Sequence, residues 1–578
     1  MAYPQSTTTP PETIGSVSLP PPTFLPDDIA RLRADLTALG SISDALGETG
    51  TAALDREQRV PALLVARAAE TPEATIARLF LLGDDVPSPL LEAALPSLRT
   101  EGALRLGLVR TGADPEAYRA TVDIRPIGTD ETRLWLAADL GERATGRALV
   151  ADHVLGVGGA SLTLVGITDR APVHRALDLG TGCGIQASIL TGHAQHVVAT
   201  DLSERALAFA RFNAALNGQE WDLRRGSLFE PVRGERFDLI VSNPPFVITP
   251  AAAYEAGLPV MEYRDAGRSS DVGHTSDAGG ISGAGHTSDA GGGPVPSAAA
   301  RKGGTDSEKD SAGAAGAGHT SGDHLLEVIL GSLRSQLTAD GRAQMIGNWE
   351  HRAGEDWKER LSAAAHGLDL WVVEREVMDP AQYVELWMRD GGFRAGERHR
   401  TEAVYAAWLQ DFQARGVESI GFGYILAAPT PSTRPPARRF ERAGGPADQP
   451  VGDHLAAAFA AQRRHADEAA ADPAATPLAH VATWRLAAAP DVTVEHHLRP
   501  GEEDPTVILL RQGSGLGRTH RMDTALAGLL SVADGELTVG QTAAALADLL
   551  HVPAEALNAE LAAAVVELVA TGFLERVD

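Results

Sequence analysis

The chain has 578 residues, too many for one hydrophobic core, so three folded units joined by linkers are expected. A single cysteine, Cys183, excludes internal disulfides and cysteine-based zinc sites; the 18 histidines lack H-E-x-x-H or similar spacing, so no metal is expected. A net charge of −27 argues against broad nucleic-acid binding and leaves only a local arginine-rich cleft as a basic surface.

Residues 1–24, "MAYPQSTTTPPETIGSVSLPPPTF", read as a disordered Pro/Thr tail without the basic start and apolar middle of a signal peptide. No apolar run approaches the ~20 residues that span a bilayer, so no membrane partner and a cytoplasmic location are expected. Residues 25–145 begin with helical periodicity ("DDIARLRADLTALG", "PEATIARLFLLG") and end in alternating, strand-like segments ("YRATVDIRPIG", "TRLWLAADL"). Such an α+β unit suits a recognition domain that presents substrate, and equally a stabilising cap.

Residues 146–430 alternate strand and helix patterns, as a doubly wound parallel sheet does. The strands read "HRALDLG", "HVVATDL", "FDLIVSN", "GRAQMIGNW", "LDLWVVERE" and "SIGFGYILAA". A Gly/Ala/Ser/Thr/Asp segment interrupts them at 268–322, where "GHTSDAGG" occurs twice; it is expected to be a disordered insertion, being too polar to offset its ordering entropy. Residues 431–450, rich in proline, read as a linker. Residues 451–578 end in the order helix, short strand, helix, helix, strand, which is winged-helix-like. With 8 Arg against 18 Asp plus Glu there, protein contact or stabilisation is expected over DNA binding. The glycines of "RQGSGLGR" lack the Lys-Ser/Thr of a phosphate loop and read as a turn.

The chemistry concentrates between 176 and 246. "ALDLGTGCGIQASI" carries Asp178, Gly180, Thr181, Gly182 and Gly184 from a strand into a helix, where backbone amides can approach a ligand closely. Ile185 stands where a nicotinamide-binding G-x-G-x-x-G loop needs its last glycine. Asp201, followed by Leu202, ends the next strand; it suits a pair of ribose hydroxyls, or caps the following helix if Ser203 does not. In "RRGSLFEP", Ser227 and Leu228 follow the third strand, where an adenine ring can lie between apolar side chains. Then "VSNPPF" ends the fourth strand: Pro244 and Pro245 fix their φ angles and donate no hydrogen bond, so Asn243, nearby carbonyls and the Phe246 ring are held in one geometry.

In this order and spacing, residues 150–430 resemble a class I S-adenosylmethionine-dependent methyltransferase of the Asn-Pro-Pro-Phe/Tyr branch. That branch includes release-factor glutamine methyltransferases and RNA and DNA methyltransferases acting on amino nitrogens. The resemblance implies an α/β fold with a doubly wound, Rossmann-like, seven-stranded sheet. It implies S-adenosyl-L-methionine as cofactor, its amino-acid part wrapped by Gly180, Gly182 and Gly184 above Asp178 and its ribose held by Asp201. Ser227 departs from the family, where an aspartate is common. Asn243 and the Pro244 carbonyl would accept the two N–H groups of a planar nitrogen while Phe246 stacks on it, so no general base is needed. Cys183, the only candidate for cysteine-based catalysis, lies inside the cofactor loop, where a small side chain is simply tolerated. Asn348 and Trp349 fall at the same sheet edge as candidate pocket lining, with packing alone the alternative for Trp349. "DHVLGVGGASLTL", before the first strand, reads as a segment closing over the cofactor or as a glycine turn. The extra domains favour a macromolecular acceptor, a protein glutamine or an RNA base; the alternatives are a small-molecule methyltransferase and a non-catalytic scaffold.

Overall fold

The computed structural model describes residues 18–258 and 323–577, apart from 57, 129–131, 147–148, 391–397, 446 and 448–449. The expected insertion at 268–322 lies outside the described residues, as does most of the tail. Residues 18–24 are an exception to the disordered reading, since the Thr23 N–H donates to the Leu106 carbonyl at 2.9 Å. Prolines 20–22 have little conformational freedom to lose when the segment docks.

The central sheet is built from β1 (Val173–Leu179), β2 (Ala194–Asp201), β3 (Asp222–Arg225), β4 (Phe237–Ser242), β5 (Leu337–Arg352), β6 (Leu368–Met378), β7 (Val417–Pro429) and β8 (Arg438–Arg442). Its order is β3-β2-β1-β4-β5-β7-β6-β8, with β7 alone antiparallel to its neighbours. Eight strands, not seven, is a correction to the expectation. β8 lies inside the supposed linker 431–450 and pairs in parallel with β6, Leu370 opposite Arg438 and Glu374 opposite Arg442. Its sequence, Arg-Arg-Phe-Glu-Arg, reads as linker because an edge strand needs little apolar content.

Both faces of the sheet are buried, which is why its inner strands read as apolar runs. Along β4, Ile240 joins one core with Ile329, Leu330 and Leu361, while Leu239 and Val241 join the other with Leu164, Leu190 and Leu455. The second core draws on the helices Gly159–Ile167, Ile185–Leu190 and Gly452–Ala471. Residues assigned by sequence to the third domain therefore cover the sheet itself.

In the N-terminal domain, among the described residues, six α-helices and a π-helical turn, Ala77–Leu81, between Pro26 and Arg105 pack with a three-stranded sheet. The predicted strand "YRATVDIRPIG" is two strands, Ala117–Ala120 and Val122–Ile127, parted at Thr121, and the second forms an antiparallel ribbon with Leu134–Asp139. Beyond the Gly452–Ala471 helix, a separate core contains Trp484, Leu526, Leu546, Val565 and Leu568. The helix Thr524–Leu530, strand Asp534–Thr538, helices Val539–Leu550 and Ala554–Ala570 and strand Leu574–Val577 follow in the order read from sequence. Among the described residues, no helix is long and apolar enough to cross a membrane.

Candidate active site

Chain order reverses between β1 and β4, and an open parallel sheet forms its crevice at the strand ends beside such a point. In the register, Leu179 at the end of β1 sits opposite Thr200 on β2 and Ser242 on β4, and Asp201 sits opposite Arg225 on β3. The glycine turn, Asp201, the Ser227–Leu228 turn and Asn243 thus leave neighbouring strands at one edge.

The turn after β1 is held by bonds to its own backbone. The N–H groups of Gly180 and Thr181 donate to the Thr200 carbonyl at 3.0 and 2.9 Å, and the Gly182 N–H donates to Asp201 Oδ2 at 2.9 Å. Asp201 Oδ1 accepts from the Ser203 N–H at 2.8 Å, while Ser203 caps the helix through its own hydroxyl. Ser203, not Asp201, is therefore the helix cap, and the Asp201 carboxylate instead braces the backbone of the glycine turn and of Ser203. Gly180, Gly182 and Gly184 all have positive φ. A Cβ on Gly180 or Gly182 would meet nothing within 4 Å, whereas one on Gly184 would meet the Trp221 ring at 2.5 Å. Gly184 is thus required for packing, and the open backbone is confined to Gly180 and Gly182.

Asp178 is 1 % exposed; its Oδ2 accepts from the Thr181 hydroxyl at 2.6 Å and the Ala187 N–H at 3.0 Å. Its Oδ1 is buried without a hydrogen-bond partner. Burial pushes the carboxyl up to about 7, against the pull of Thr181 and Ala187 and with a further push from the Asp201 charge. An orphaned carboxylate oxygen beside two bare glycines fits a ligand that brings a cation to Asp178 and lies against open backbone. Cys183 is 3 % exposed and burial pushes its thiol up to about 12, so it is a thiol at neutral pH and no nucleophile.

Ser227 and Leu228 are half-buried after β3, and Leu228 has φ +47, a left-handed conformation that sequence reading had no means to show. At the end of β4, the buried Ser242 hydroxyl donates to the Leu179 carbonyl at 2.8 Å, tying the Asn243 strand end to the glycine turn. Asn243 Nδ2 donates a long, 3.4 Å bond to Ser161 Oγ on the Gly159–Ile167 helix. The segment expected to close over the cofactor or to turn is therefore partly a helix that contacts Asn243. Pro244 is buried and Pro245 and Phe246 are half-buried; the Phe246 ring meets Trp387 edge to face, centroids 6.1 Å apart.

The chain after Phe246 is gripped by two helices, Pro380–Asp390 and Arg398–Ala414. The Ile248 N–H donates to Tyr383 Oη at 2.7 Å, and Trp408 Nε1 donates to the Ile248 carbonyl at 2.9 Å. Asn348, 1 % exposed, donates to the same Tyr383 oxygen at 2.9 Å. Trp349 is fully buried, donates to Glu374 at 3.1 Å and stacks on Trp357. Asn348 and Trp349 therefore support the site from within the core and do not line it. Tyr383 and Trp387 had no sequence signal, because each reaches the motif only through the fold; Ser161 was marked only as part of the segment "DHVLGVGGASLTL".

Two family models match the chain: a domain of unknown function (DUF7059) over residues 34–121 and a methyltransferase small domain over 157–262. A release factor glutamine methyltransferase of Geobacter sulfurreducens is 47 % identical over 98 residues, 16 % of this chain and 34 % of that protein. A ribosomal RNA small subunit methyltransferase C of Cronobacter sakazakii is 35 % identical over 101 residues, 17 % of this chain and 29 % of that protein. The chain thus spans about a third of the length of these curated relatives. A solved structure, a T. thermophilus 16S rRNA N2 G1207 methyltransferase in complex with AdoMet and guanosine, is 12 % identical, with a TM-score of 0.24 over 54 % of this chain and 67 % of that one. The glycine turn, Asp201 and Asn-Pro-Pro-Phe all fall inside the span, residues 157–262, that matches the methyltransferase small-domain model.

Proposed function

We propose that the chain is an S-adenosylmethionine-dependent N-methyltransferase acting on a planar amide or exocyclic amino nitrogen of a macromolecule, a protein glutamine or an RNA base. Asp178, Gly180 and Gly182 would hold the amino-acid end of the cofactor, Asp201 and Leu202 the ribose, and Ser227 and Leu228 the adenine. When bound, the cofactor supplies an electrophilic methyl carried on a sulfonium.

The observation that carries the reading is the placement of Asn243 at the strand end joined to the glycine turn, its amide N–H engaged by Ser161. The amide oxygen is then the group left to accept from the acceptor nitrogen, together with the Pro244 carbonyl. Accepting those N–H groups raises negative potential on a nitrogen whose lone pair is otherwise delocalised, and it does so from fixed positions. Phe246, backed by Trp387, offers a ring to stack on the planar group. Both acceptor classes lie in the cytoplasm, where the protein would work. The names of the relatives above include both a glutamine and an RNA methyltransferase, so the acceptor is decided by experiment. Purified protein, methyl-labelled cofactor and fractionated lysate from a strain lacking the protein should place label in RNA or in protein. Label in small molecules overturns the macromolecular reading. Cofactor binding without transfer to any fraction leaves a scaffold, and absence of cofactor binding removes the methyltransferase reading.

A further inference from the structure

We propose that the N-terminal domain is a fixed wall of the methyl-donor site and that Asn213 is the positioning residue that makes it one; this rests on the methyltransferase reading above. The helix Glu204–Leu216 starts just after Asp201. Along it and one residue beyond, Arg205, Phe209, Asn213 and Asn217 recur every fourth residue, so they form one row. That row faces the Leu134–Asp139 strand of the ribbon. Arg205 pairs with Asp139, Asn213 with Ala137 and Asn217 with Trp135.

Asn213 is fully buried, and every polar valence of its amide that matters here is used. Oδ1 accepts from the Ala137 N–H at 2.8 Å; Nδ2 donates to the Ala137 carbonyl and to the Cys183 carbonyl, both at 2.8 Å. Cys183 lies between Gly182 and Gly184. The turn is therefore gripped from two sides: Asp201 takes the Gly182 N–H and Asn213 takes the Cys183 carbonyl. The Cys183 side chain packs in the N-terminal core with Phe209, Phe212 and Ala206, so apolar contact runs the same way as the polar one. Asn213 thereby carries the polar link between the ribbon and the turn that holds the bare glycines.

Asn217 supplies an internal control. It makes the same pair of bonds to Trp135, at 2.9 and 2.8 Å, but its remaining bond goes to the Asn213 carbonyl of its own helix and not to the turn. Asn213→Leu and Asn217→Leu should therefore lower the thermal midpoint alike, and only Asn213→Leu should also weaken S-adenosylhomocysteine binding, by roughly tenfold, the scale of one buried hydrogen bond. Calorimetry with S-adenosylhomocysteine on the full chain reads this. Unchanged affinity in Asn213→Leu, or an equal loss in Asn217→Leu, overturns the proposal. No binding by the parent overturns the methyltransferase reading instead. Hydrogen exchange on the parent decides the matter if Asn213→Leu does not fold. S-adenosylhomocysteine should slow exchange in residues 134–139 as well as in the turn, and protection confined to the turn overturns the proposal.

Discussion

Replacing Asn243 with alanine removes an acceptor aimed at the reacting nitrogen while leaving the glycine turn intact. The expected loss is about 2.7–4 kcal/mol in the barrier, by analogy with single oxyanion-hole deletions, with S-adenosylhomocysteine affinity unchanged by calorimetry. Ser161→Ala should cost less, about 0.5–1.5 kcal/mol in the same transfer assay, because its bond to Asn243 is long and orients the amide without touching the acceptor. Asp178 sets a pH dependence of definite sign. Burial brings its folded carboxyl to about 7, well above an unfolded aspartate near 3.9, so the folded state binds the proton more tightly. Its contribution to stability is full below about pH 4 and is lost as pH rises through about 7. Asp178→Asn should flatten that stretch of the urea-midpoint profile. A cationic ligand end at the orphaned oxygen favours the charged carboxylate. S-adenosylhomocysteine binding near pH 6 should therefore release a proton, seen as a buffer-dependent heat. The glycines, Asp201 and Asn243 were legible in sequence because their chemistry depends on local spacing. Asn213, Tyr383 and Trp387 were not, because an ordinary residue becomes part of a site only when a distant strand or helix is packed beside it.

At the scale of elements, the turn after β3 carries a testable strain. Leu228 adopts φ +47, where a side chain costs about 1–2 kcal/mol and glycine costs nothing. Leu228→Gly should therefore be more stable than Leu228→Ala in urea, reversing the usual order of the two substitutions. Equal midpoints would mean that the turn relaxes without the leucine. The helix carrying Asn213 also holds a largely buried ion pair. Arg205 Nε donates to Asp139 Oδ2 at 3.0 Å, and that same oxygen accepts from the Val154 N–H at 2.8 Å. Arg205→Ala leaves the carboxylate uncompensated and should cost about 3–5 kcal/mol of stability. The inner strands were readable because burial on both faces makes them apolar throughout. β8 was not, because a charged edge strand and a linker share one composition. The parting of "YRATVDIRPIG" at Thr121 was hidden because both halves keep a strand-like alternation.

Over the whole molecule, the boundaries read from composition do not coincide with the cores. The N-terminal core takes in Cys183 and Phe212, and the core on one face of the central sheet takes in Val451, Leu455, Phe459 and Leu516. The "RQGSGLGR" turn serves that contact: a Cβ on Gly515 would meet the His454 ring at 2.9 Å, and Leu516 beside it is buried. Arg518 bonds Glu441 on β8 and Arg439 bonds Glu567, so the edge strand, which Trp371 of β6 already holds through Glu441, is clamped from the far side as well. A chain ending at residue 450 should lose this cover and unfold at a clearly lower temperature in calorimetry; an unchanged midpoint would make the C-terminal part a detachable module. The charge on the two outermost strands has a consequence for how such a wide sheet stays in solution. β3 is Asp-Leu-Arg-Arg and β8 is Arg-Arg-Phe-Glu-Arg. A strand from a second molecule pairing along β3 would have to strip water from its ions, and along β8 it would have to displace the C-terminal side chains that already hold that strand, so edge-to-edge growth is disfavoured at both ends of the ladder.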